Sequence, residues 1–138
     1  MGTIGIPIQF DTGKRTYYTT WVFNMLMVKM TATADLVTQI TPNFDGEIVK
    51  AYWVQGTAVT TPAKSADLNL EINGINLSGG TVALTSATCT PLGKVIAGTT
   101  ITSGNVFEKG DTVSVECTIT AAFTEGDGNL FVLVKGQW

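Results

Sequence analysis

The stretch that most narrows the possible folds is Asp67-Leu68-Asn69-Leu70-Glu71-Ile72-Asn73, which alternates polar and apolar side chains without a break. A period of two marks a strand with one buried face. Leu68, Leu70 and Ile72 are therefore expected to face a core, and Asp67, Asn69 and Glu71 to face water. Asn73-Gly74 follows at once. That dipeptide supplies the positive φ that both central positions of a type I′ turn need, so the chain should reverse there and return through Ile75-Asn76-Leu77. Ser78-Gly79-Gly80 breaks the return, and Thr81-Val82-Ala83-Leu84-Thr85 resumes the alternation.

The same punctuation runs through the rest of the chain. Residues 17–30 are dense in aromatic, β-branched and long apolar side chains. Trp21, Phe23, Met25 and Met27 would share one face of a strand, and Val22, Leu26 and Val28 the other, so that strand is expected to be covered on both sides. The threonines of residues 31–37 argue for a further strand rather than a helix. Residues 42–46 read as a turn, and residues 47–55 as a strand with Ile48 and Trp53 in the core. After a looser region at 88–100, Gly110-Asp111 reads as a turn, 112–121 as a strand, 125–128 as a loop and 129–134 as a closing strand. Seven to nine short strands point to a single all-β domain, an antiparallel β-sandwich or jelly roll. A chain of 138 residues is long enough to bury a real core. Residues 1–16, broken by Gly2, Gly5, Pro7 and Gly13, read as an extended N-terminal arm, with the sandwich occupying 17–138.

Several function classes are set aside by composition. The sequence has no histidine, which removes Ser-His-Asp and Cys-His catalysis, imidazole bases and His-bearing zinc sites. No glycine-bearing segment has the ending or context of a phosphate-binding loop. Most of the eleven acidic residues fall in turns or at water-facing strand positions, so no catalytic pair is assigned, and the chain is read as no enzyme, without cofactor or resident metal. Glu125, Asp127 and Asn129 alternate in a loop as cation ligands would, but a plain turn accounts for the same residues. A net charge of −3 with no Lys/Arg run leaves no footprint for nucleic acid. The run 21–30 is too short for a membrane helix, and residues 1–8 lack the basic start of a signal peptide. The expectation is synthesis in a cytosol, with Cys89 and Cys117 reduced and buried.

Charged residues make up only 14% of the chain, and Thr, Ser, Asn and Gly take their place. Such a neutral, hydrogen-bonding surface suits a chain that sits against other protein. Tyr17, Tyr18 and Trp138 are candidates for an interface, because an amphipathic ring tolerates a wet edge. Trp21 and Trp53 read as core, although with Tyr17, Tyr18 and Tyr52 they would also make a sugar-binding platform. In the arm, Ile4, Ile6, Ile8 and Phe10 alternate with Gly5, Pro7 and Gln9, so their apolar side would lie in a groove or add a strand to a neighbour's sheet.

The order of Asn73-Gly74, Ser78-Gly79-Gly80-Thr81, Thr90-Pro91-Leu92-Gly93, residues 107–115 and Phe123-Thr124-Glu125-Gly126-Asp127-Gly128 resembles jelly-roll capsid decoration, or cement, proteins of tailed bacteriophages. The resemblance implies a virion protein, made in the host cytoplasm, that sits on the outside of the head. It further implies a homo-oligomer, commonly a trimer, that clamps major capsid subunits with a terminal arm reaching across the shell. A carbohydrate- or receptor-binding module of a fibre or tail, using the aromatic side chains, is the alternative, and a small lattice-forming structural protein is a third reading.

Overall fold

The computed structural model describes residues 15–137. Ten strands run in chain order: β1 Thr16–Leu26, β2 Ala34–Ile40, β3 Asp45–Thr57, β4 Ser65–Ile72, β5 Ile75–Asn76, β6 Val82–Thr85, β7 Val95–Ala97, β8 Val106–Phe107, β9 Val113–Ala121 and β10 Asp127–Gln137. One sheet, here sheet A, has the order β1-β10-β3-β7, with β8 also on β3; sheet B has the order β2-β9-β4-β5, with β6 also on β4. All pairings are antiparallel. The expected antiparallel sandwich is therefore present, and its interleaving of early and late strands in both sheets is jelly-roll winding. The tally exceeds seven to nine because β5 and β8 hold two residues each and β7, inside the region read as loose, holds three.

The alternating segment forms as expected. Leu68, Leu70 and Ile72 are buried, Asn73 and Gly74 have φ of 53° and 77°, and Ile72 pairs with Ile75 across the turn. Residues 34–40 are strand rather than helix. Ile48 and Trp53 are fully buried, and both cysteines are buried and free. Burial pushes both thiols above their ordinary value, because a low-dielectric surrounding disfavours the thiolate.

Three expectations are corrected. Glu71 does not face water: it is buried, and it accepts a hydrogen bond of 2.8 Å from the Ser114 hydroxyl. It stands between Ser114 on β9 and Asn76 on β5, and flanking strands cover an outward side chain that periodicity alone assigns to solvent. The strand at 17–30 stops at Leu26, where residues 27–29 make a 3-10 turn that still buries Met27. Nor is that strand covered on both sides: Val22, Leu26 and Val28 are 53%, 48% and 42% exposed.

The segment Glu125-Gly126-Asp127-Gly128 does two structural jobs. A Cβ on Gly128 would lie 2.4 Å from Trp53 Cζ2 and 2.6 Å from the Val54 carbonyl oxygen, so only glycine lets β10 pass over the indole. Gly128→Ala should cost about 3 kcal/mol or more through overpacking. Gly74→Ala, where no atom lies within 4 Å, should cost only the left-handed backbone preference of about 1–2 kcal/mol. Urea melts of the two variants provide the comparison.

Glu125 is the second job. It accepts hydrogen bonds from the backbone N–H groups of Thr60 and Thr61 (3.1 and 2.7 Å) and from the Thr61 hydroxyl (3.0 Å). The Thr61 amide foremost holds its carboxyl below the ordinary 4.5. A carboxylate depressed in the folded state stabilises above its unfolded value and loses that contribution as pH falls through the folded one. Glu125→Gln should therefore lower the melting temperature at neutral pH, and the gap from the parent protein should close as the pH falls through and below the ordinary 4.5.

Candidate functional site

An antiparallel sandwich ordinarily turns polar side chains outward on both sheets. Here sheet B does so throughout, whereas sheet A sets apolar side chains among its polar ones. The strands of sheet B contain no Lys or Arg and carry Asp35, Asp67, Glu71 and Glu116. Carboxylate oxygens of Asp35, Glu71 and Glu116 lie within 4.8 Å of one another. Hydroxyls and amides lace the same face: Thr81 donates to Asn69 Oδ1 at 3.0 Å, and Asn69 Nδ2 donates to Thr118 at 3.3 Å. This side of the molecule is acidic and hydrogen-bonded to itself.

The outer face of sheet A carries far more exposed apolar side chains. Strand register sets its rows, because residues directly opposed in an antiparallel pair share a face. Tyr18, Lys135, Glu47 and Val106 form one row; Val22, Phe131, Tyr52 and Ala97 another; Asn24, Asn129, Val54 and Val95 a third. Val106, Val95, Val22 and Tyr18 are 62%, 57%, 53% and 49% exposed. The charges near it are few: Lys135 lies 3.6 Å from Glu47, and Lys50 sits 5.7 Å from the Tyr52 ring centre. At about 4.8 Å between strands and about 3.4 Å per residue, the four-strand face measures roughly 20 by 35 Å. That is close to the ~800 Å² per partner that a stable interface buries.

The sequence-derived candidates divide in this frame. Tyr18 lies on the apolar face, one row from its rim. Tyr17 points to the other side of β1 and is half-buried. Ile4, Ile6, Ile8, Phe10 and Trp138, with the rest of the arm up to residue 14, lie outside the described residues, and Thr16 already belongs to β1. The aromatic platform does not assemble: Trp53 is buried and donates to Gln55 Oε1 at 2.7 Å. Trp21 packs 5.9 Å from Phe107, and the Tyr52 and Phe131 rings stack on each other at 5.0 Å and 4°, so those two spend their facing surfaces on one another. The loop ligands do not assemble either, since Glu125 holds Thr60 and Thr61, and Asn129 accepts from Asn24 Nδ2 at 3.1 Å.

Sequence reasoning missed Val54, Val95, Val106 and Phe131. Val95 and Val106 sit in strands of two or three residues, too short for a period to show, and only register places them beside β3. Among the described residues no helix is long and apolar enough to cross a membrane.

No family model matches the chain, and no curated protein matches it. Among solved structures it is similar to a chain of the capsid asymmetric unit of cyanophage Pam1, at 16% identity and a TM-score of 0.46, over 99% of this chain and 93% of that one. A likeness that loose carries no argument about function.

Proposed function

We propose that this chain is a non-catalytic virion protein that decorates and stabilises a phage capsid by docking on major capsid subunits at the outer head surface. The observation that carries the reading is the contrast between the two outer faces. Sheet A leaves valines and aromatic side chains uncovered across its width, whereas sheet B turns an acidic, self-bonded face away. Uncovered apolar area of that extent on a soluble protein marks a contact surface. The motif order in the sequence supports the identity of the partner, and the lack of histidine supports a mechanical role. Repetition of modest contacts over a symmetric shell multiplies them into firm attachment.

The isolated protein is expected to form a closed homo-oligomer, a trimer, which light scattering checks; a strict monomer at high micromolar concentration would count against it. For docking, Val22→Lys and Val95→Lys each place a charge on the apolar face at an exposed position, so the fold should change by no more than about 0.5 kcal/mol. Co-sedimentation with assembled heads should weaken about tenfold or more for each, a loss of about 1.4 kcal/mol. Asp67→Lys on the outer face of sheet B should bind as the parent does. Parent-like binding by both valine variants would remove sheet A from the contact. Failure of the parent to bind heads, with retention on a glycan array, would replace decoration by the receptor-binding alternative.

A further inference from the structure

β1 is an edge of sheet A, and among the described residues it pairs on one side alone, with β10. Every other outermost strand among them carries a device against pairing with another chain. β5, β6, β7 and β8 hold two to four residues each, and β2 carries Asp35 and meets β9 with two register shifts; short length, charge and irregular pairing all blunt an edge. β1 runs for eleven residues without charge, proline or glycine. Beside it the sandwich opens in a groove of about 680 Å³, with residues 20–23 on one wall and 40–44 on the other. Thr19, Trp21 and Phe23 are only half-buried along it.

We propose that β1 pairs antiparallel with β1 of a second copy, about a two-fold axis through Val22. A two-fold contact requires a strand to complement its own reverse, and residues 18–26 do so. Opposed residues share a face. On the outward side Tyr18 meets Leu26 of the second copy, Val22 meets Val22, and the polar Thr20 meets the polar Asn24; on the inward side Trp21 meets Phe23 and Thr19 meets Met25. Moving the axis one residue either way breaks the match, because Thr20 and Asn24 then oppose Val22 and Tyr18, or Leu26 and Val22. Nine paired residues span about 30 Å, and two sheets about 10 Å apart with a side-chain layer beyond each make the joined edge about 20 Å wide. The ~600 Å² buried per partner clears the ~1,000 Å² total expected of a specific interface. Strands paired in this way lie in one sheet, so the joined copies turn their outer sheet A faces to the same side. The contact joins copies in pairs and leaves ring closure to other surfaces; on the docking reading, on which this consequence rests, it links one closed oligomer to the next across the shell.

The pairing is tested on the full chain without heads, so its failure and that of docking are told apart. Val22→Cys puts one thiol of each copy on the axis, and mild oxidation should link two copies at least about tenfold faster than for Thr20→Cys, whose two thiols stand about 14 Å apart in this register, beyond disulfide reach. Mixing Thr20→Cys with Asn24→Cys should restore the fast linkage. Non-reducing electrophoresis reads covalent pairs, and the buried Cys89 and Cys117 are a background common to all variants. Equal rates for Val22→Cys and Thr20→Cys would overturn the proposal. The unmodified chain supplies a second measurement: hydrogen exchange of the β1 amides should slow about tenfold from low to high micromolar concentration, and exchange independent of concentration would equally overturn it.

Discussion

The indole of Trp53 is the constraint around which the sandwich is arranged. It is fully buried in the middle of β3, the strand that β10, β7 and β8 all pair with. A buried indole N–H needs an acceptor, and Gln55 supplies it from two residues along the same strand. The Gln55 amide then donates to the Thr57 carbonyl at 2.6 Å and to Met27 Sδ at 3.3 Å. One polar side chain thus satisfies the tryptophan and ties the end of β3 to the turn that follows β1. Gly128 lets β10 cross the ring, and Gly126, with φ of 106°, makes room for Met27 and Val59, whose atoms lie 2.7 and 2.8 Å from where its Cβ would be. The glycines and the tryptophan are one packing unit, contributed by segments more than seventy residues apart.

That unit has a consequence for the surface. With Trp53, Leu130, Val132 and Val134 all pointing inward, strand alternation forces their neighbours Tyr52, Val54, Phe131 and Leu133 outward. These outward side chains stand outside the cluster of buried and partly buried residues between the sheets, a surplus over the core. Such surplus costs solubility and is retained where something covers it. Sheet B, under the same alternation, places Asn69, Glu71, Ser114 and Glu116 outward and shows no surplus. The two faces differ in composition although the backbone treats them alike.

What was legible in the sequence follows from how local each signal is. The Asn73-Gly74 hairpin and the burial of Leu68, Leu70 and Ile72 depend on residues within one strand or turn, so they read directly. The exposure of Val22 and Leu26 does not: an all-apolar strand is equally consistent with cover on two faces or with one core face and one docking face, and only neighbouring strands decide between them. Glu71 misleads for the converse reason, because the Ser114 hydroxyl that satisfies it lies forty-three residues away. Gly126 and Gly128 read as turn residues because turns and close packing both select glycine. The groove between residues 20–23 and 40–44 was illegible, since Trp21 and Phe44 both pack on Phe107, whose ring centre is 5.9 Å from one and 5.6 Å from the other and which lies more than sixty residues from either.

β1 shows how these demands meet in one element. Its eleven residues contain no charge, proline or glycine, the devices with which edge strands ordinarily resist pairing with other chains. Its inward row supports the Trp21–Phe107 contact, and its outward row supplies Tyr18, Val22 and Leu26 to the uncovered face. A lysine at an inward position would sit among apolar rings, and one at an outward position would break the row that sheet A presents. Of its outward positions Thr20 and Asn24 are both polar and exposed, so a guarding charge there is the change least costly to either face.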